Sequence, residues 1–103
     1  MQNRALSLMS IAARGRNLVS GAFAVENAVK SGTAFLVIAG TDVSENTKKM
    51  FSNMCEFYEV PFFQFGTKET LGHAIGKEFR ATLAVTDEGL AKAIVKQLEA
   101  LKE

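Results

Sequence analysis

The chain has 103 residues, 48% of them hydrophobic, with one proline, one cysteine and a formal net charge of +1. That composition predicts one ordered globular domain over 1–103 and excludes an internal disulfide, a cysteine-built zinc cluster and a global basic field of the kind many nucleic-acid binders carry. The longest apolar run is far shorter than the ~20 residues that cross a bilayer, and the N-terminal stretch lacks a secretory pattern, so the expected setting is a reducing cytosol with no membrane partner.

Residues 3–13 read as a helix, because Ala5, Leu8, Met9 and Ala12 recur at the spacing of one helical face. The run Arg14-Gly15-Arg16-Asn17 breaks it and leaves Leu18-Val19-Ser20 as a short strand. A second helix spans 21–31, with Ala22, Val25, Ala28 and Val29 toward the core and Gly32 at its left-handed stop. The unbroken apolar run 34–39 suits a strand covered on both faces. Ser44 then stands where an N-cap belongs, ahead of a helix over 45–58 expected to bury Met50, Phe51, Met54 and Phe57 or Tyr58. Residues 60–65 form the next strand, with Pro61 tolerable near its start. Thr67 caps a short helix to Ile75; 81–85 is the last strand. Residues 87–102 are the last helix, carrying Leu90, Ala91, Ile94, Leu98 and Leu101 on one side. Helices alternating with strands predict an α/β fold, a three-layer α/β/α sandwich around a four-stranded mixed sheet.

No residue set points to catalysis, and nothing calls for a cofactor or a resident metal. His73 and Cys55 are the only residues of their types and fall on different helices. Cys55 lies beside Met54 and Phe51 and reads as a small buried apolar residue. The stretch GHAIGKE, 72–78, has the look of a phosphate loop but lacks its spacing, its Ser or Thr after the lysine, and a preceding strand. Charge is uneven, however. Residues 1–30 hold Arg4, Arg14, Arg16 and Lys30 against Glu26 alone.

Three segments in this order resemble a known family. LVSG at 18–21 leads into a helix ending AVKSG at 28–32; LVIA at 36–39 is followed by DVSENTKK at 42–49; Val60-Pro61 precedes KETLGHAIG at 68–76. Together they are similar to the ribosomal protein L7Ae superfamily, whose members bind kink-turn RNA, and within it to small stand-alone bacterial proteins. The resemblance implies a non-catalytic, ribosome-associated RNA-binding protein. It also implies an RNA site at the start of the second helix and in the loop before the last strand. The residues so implied are Arg14, Arg16, Ser20, Gly21, Phe23 and Asn27, with Ile75, Lys77 and Arg80 from the loop.

The family frame Gly-x-Asn-Glu-x-x-Lys, which reads the sheared G·A pairs of the kink, stands here as Gly21-Ala22-Phe23-Ala24-Val25-Glu26-Asn27. The glycine is kept and the three base readers are replaced. A base-reading contact is worth ~1–3 kcal/mol of discrimination. Losing two or three therefore weakens recognition of a standard kink-turn on the order of a thousandfold. Phosphate attraction through the arginines and Lys77 survives such losses but carries no sequence information. Phe23, on an otherwise polar face with Glu26, Asn27 and Lys30, suits either stacking on an unpaired base or anchoring a protein. The alternative reading is thus a protein-interaction module on the same fold that has lost RNA binding.

Overall fold

The computed structural model describes residues 4–101. Its elements are α1 (Arg4–Arg14), β1 (Leu18–Ser20), α2 (Ala22–Lys30), β2 (Leu36–Ala39), α3 (Glu45–Tyr58), β3 (Phe62–Gln64), α4 (Lys68–Ala74), β4 (Thr82–Val85) and α5 (Glu88–Leu101). The order agrees with the sequence pattern. The expected start of the first helix at Asn3 and the end of the last at Lys102 lie outside the described residues.

The strands form one mixed sheet in the order β1-β4-β2-β3. β2 pairs parallel with β3 and antiparallel with β4, and β1 pairs antiparallel with β4. β2 and β4 are thus the central strands, and every residue of both is buried. Side chains alternate between the two faces of a strand. Leu36, Ile38, Leu83 and Val85 face the layer of α1, α4 and α5, where they meet Met9, Leu71, Ile94 and Leu98. Val37 and Ala84 face α2 and α3, where they meet Val25, Val29, Phe51 and Cys55. Each fully buried Leu, Ile or Phe contributes about 1.5–3 kcal/mol, so both faces are needed to hold the strands. The three-layer α/β/α sandwich expected from the sequence is the fold.

The buried stripes are narrower than the periodicity suggests. On α3 only Phe51 and Cys55, one turn apart, are buried, whereas Met50, Phe57 and Tyr58 are exposed and Met54 is half-buried. The reason is position: α3 packs on α2 and on β3, and β3 is an edge strand with no sheet beyond it to cover the helix's outer flank. Phe57 and Tyr58 pack edge to face there, ring centroids 4.9 Å apart. Ala22 is exposed because the first turn of α2 projects from the end of the sheet. Leu101, in the last turn of α5, is exposed, while Leu8 and Leu90 are half-buried.

The caps follow the sequence closely. The Ser44 hydroxyl accepts the Thr47 N–H at 3.2 Å, and the Thr67 hydroxyl accepts the Thr70 N–H at 3.1 Å. After α2, the N–H groups of Gly32 and Thr33 donate to the carbonyls of Val29 and Ala28, with Gly32 at φ 80°. That pair of bonds is the Schellman closure of a helix.

Candidate nucleic-acid interface

The carboxyl ends of β1, β2 and β3 and the amino end of β4 lie together, since Ser20 pairs with Leu83 and Ala39 with Thr82. Loops following those strands, and the helices they start, crowd this end of the sheet. Gly21 turns the chain out of β1 with φ 96° and ψ 150°, a combination open almost only to glycine. Its N–H donates to the Thr82 carbonyl at 3.0 Å, and its own carbonyl accepts the Val25 N–H at 3.0 Å. No side chain caps α2. The first N–H groups of any helix lack intrahelical acceptors and carry its positive dipole end, so this start is open to an anion.

Arg80 stands beside it. Its Nε donates to the Ser20 hydroxyl at 3.0 Å and its Nη1 to the Phe79 carbonyl at 2.7 Å. The guanidinium is thereby tied to the last residue of β1, with the rest of its donor fork unused among the described residues. The loop 75–80 that delivers it is folded tightly. Gly76 takes φ 77°, and the Lys77 N–H returns to the Gly72 carbonyl at 2.8 Å. A Cβ at Gly72 would fall 2.7 Å from the Glu78 carbonyl oxygen, so glycine is what lets this loop lie on α4. GHAIGKE is therefore a helix end and its return, not a phosphate loop.

The residues singled out by the sequence distribute as follows. Arg80 bonds Ser20 directly, and Gly21 is the next residue in the chain. Phe23 and Asn27 are exposed along α2, and Ile75 and Lys77 belong to the loop opposite. Arg14 reaches the loop from the α1 side, lining a groove with Ile75 and Gly76. Arg16 is not brought to the others. It sits at φ 61° beyond the far end of β1, where the Asn17 carbonyl accepts the Thr86 N–H. Four residues, 17–20, lie between it and Gly21, a span of about 16 Å in extended chain.

Phe23 is 78% exposed, with no cover from the described residues. It shares a shallow groove with Val19, Ala24 and Asn27. The neighbouring charges are committed locally: Lys30 Nζ donates to Glu26 at 2.7 Å, and that hydrogen bond raises the lysine's pKa. Sequence reasoning missed Phe79, 56% exposed in the loop beside Arg80. The available signal was an aromatic placed between Glu78 and Arg80 after the loop glycine, with no apolar neighbour to pack against. Cys55 is excluded as a nucleophile, because burial pushes its thiol up to about 11. Among the described residues no group of His, Cys, Asp and Glu could hold a metal ion, and no helix is long and apolar enough to cross a membrane.

Comparison with known proteins bears on what this end of the sheet is for. The chain is similar to the RNA-binding protein YlxQ of Bacillus subtilis (strain 168), 37% identical over 92 residues, covering 89% of this chain and 92% of that one. It is also similar to the RNA-binding protein YlxQ of Enterococcus faecium, 30% identical over 98 residues, covering 95% and 94%. A protein of unknown function from Bacillus halodurans superposes with a TM-score of 0.93 at 35% identity, covering 95% of this chain and 99% of that one. The Giardia lamblia 15.5kD RNA binding protein superposes with a TM-score of 0.79 at 26% identity, covering 93% and 85%. Residues 3–95 match the description "Ribosomal protein L7Ae/L30e/S12e/Gadd45 family", and the chain belongs to that family as a non-catalytic member.

Proposed function

We propose that this protein binds structured RNA through the start of α2 and the 75–80 loop, as a single RNA-binding domain in the bacterial cytoplasm, and that the RNA is ribosomal. The observation that carries the reading is Arg80, held by Ser20 beside an uncapped, glycine-led helix start. Family membership and relatives described as RNA-binding proteins support it. Without the usual Asn, Glu and Lys readers, specificity for a kink-turn-like RNA is weakened or altered. Affinity then comes from phosphate contacts at Arg14, Lys77 and Arg80, and from stacking on Phe23.

The test is crosslinking in cells followed by sequencing of the attached RNA, with binding of the recovered RNA measured across a salt series. Ribosomal sequence and a log–log slope near −0.9 per neutralised phosphate are expected. Binding that is absent, or indifferent to salt, across recovered, kinked and ribosomal RNAs would overturn the reading. A second reading, a protein partner anchored by Phe23, is favoured by one observation: this large aromatic stands free beside a shallow groove floored by Val19 and Ala24. Phe23→Asp would then abolish a protein complex and leave RNA retention unchanged.

A further inference from the structure

A groove runs between α1 and α4 and opens at Gly76, at the base of the loop that delivers Arg80. α1 contributes Ser7, Ser10 and Arg14, spaced three and four residues apart and hence on one face. α4 contributes Thr70 and His73, again three apart. Among the described residues, every polar side chain lining it is of a type that can donate a hydrogen bond, the Thr70 hydroxyl already sharing one with Thr67, and none is a carboxylate. α1 carries no acidic residue at all. The Arg14 guanidinium lies back over the Ser10 hydroxyl at 3.4 Å, and no carboxylate among the described residues pairs with it.

The opposite end of the sheet holds a groove of the other kind. There Phe35 and Pro61 form an apolar floor, and Glu59, Glu88 and Glu99 stand around it with Lys92 and Lys96, Lys92 lying 3.7 Å from the Glu88 carboxylate. Charge is mixed in that groove, whereas the α1–α4 groove sets a guanidinium, an imidazole and hydroxyls along one line with no carboxylate among its described lining, which suits a phosphate. We propose that the α1–α4 groove is a track for the sugar-phosphate backbone of RNA leaving the interface at Gly21 and Arg80. The inference rests on the RNA reading above and extends its footprint from one loop to a whole helix pair.

Both Ser7 and His73 are exposed, so Ser7→Glu with His73→Glu alters the track without disturbing the core. The probes are two synthetic kink-turn RNAs, one ending at the kink and one extended by about one helical turn of duplex, ~10 base pairs. The native protein is expected to bind the extended RNA about tenfold tighter, with a log–log salt slope steeper by ~2 for two further phosphates. The double variant, with an unchanged thermal melt, is expected to lose that gain and keep its affinity for the short RNA. Equal affinity of the native protein for both RNAs, or an equal loss on both in the variant, would overturn the track alone. Failure of the native protein to bind either RNA, or the RNA recovered from cells, would overturn the interface and the track with it.

Discussion

α2 and α3 each follow a strand, begin at the same end of the sheet and cover the same face of it, yet they begin in opposite ways. α3 starts on Ser44, whose hydroxyl closes on the Thr47 N–H. α2 starts on Gly21, at φ 96°, with no side-chain cap and an arginine alongside. A serine cap is worth ~1 kcal/mol, and a glycine start leaves the helix N–H groups for something else to satisfy. α3 is thus capped within the fold, while the first N–H groups of α2 have no side-chain cap and are left to solvent or, on the reading proposed above, to RNA. The same sheet thus supports one helix with a side-chain cap and one whose glycine-led start is the proposed recognition site.

The largest test of that contrast lies within α3, at Cys55. Burial raises its thiol from 9.0 to about 11, so the neutral form is the one the fold favours. The unfolded chain ionises first. The contribution is therefore complete below pH 9 and is lost as pH rises from there toward 11, a total of about 2–3 kcal/mol at 1.36 kcal/mol per unit. Urea midpoints of the native protein are expected to fall across that window more steeply than those of Cys55→Ala. Parallel curves would mean that α3 is not sealed as described. Next comes Gly21→Ala. The added Cβ meets nothing within 4 Å, so the cost is backbone strain alone, ~1–3 kcal/mol, read by thermal or chemical melts. RNA affinity should fall with it, because the helix start must turn to relieve the strain.

How legible these differences were in the sequence depends on what made them. Ser44, Thr67 and Gly32 were readable because caps and stops act within four residues. The four-residue run LVIA was readable because burial on both faces leaves no polar alternation. Met50, Phe57 and Tyr58 misled, since periodicity reports which residues could face a core, not whether a strand lies opposite them. Arg16 misled for a related reason. Nearness in sequence to Gly21 suggested one basic cluster, and the extended strand between them carries the two residues to opposite ends of the sheet. The Arg80–Ser20 bond joins residues sixty positions apart, which no local pattern announces.

A smaller effect sharpens the charge side of the comparison. Arg80→Ala is expected to weaken RNA binding about tenfold, ~1.4 kcal/mol, and to reduce the salt slope by ~1. Lys49→Ala, an exposed lysine near the start of α3, should change neither. Equal effects in the two variants would show a diffuse attraction with no localised site. Ser44→Ala, in turn, should cost ~1 kcal/mol of stability and leave RNA binding untouched, measured by melts and by a binding titration on the same sample.

The two helices also differ where they stop, and the smallest prediction concerns that end. Gly32 closes α2 at φ 80°, whereas Glu59 closes α3 at φ 60°, a left-handed conformation that costs a side-chain-bearing residue ~1–2 kcal/mol. Glycine at 59 would remove that strain but add freedom to the unfolded chain worth ~0.5–1 kcal/mol. Glu59→Gly should therefore raise stability by a net ~0.5 kcal/mol, seen as a higher urea midpoint with an unchanged slope. The residue faces the groove of Phe35, Pro61 and Glu88 at the end of the sheet away from Gly21, so RNA affinity should stay as it was. A change in RNA binding with this variant would mean that the end of the sheet away from Gly21 takes part in recognition, and the proposed division of labour between the two ends would fall.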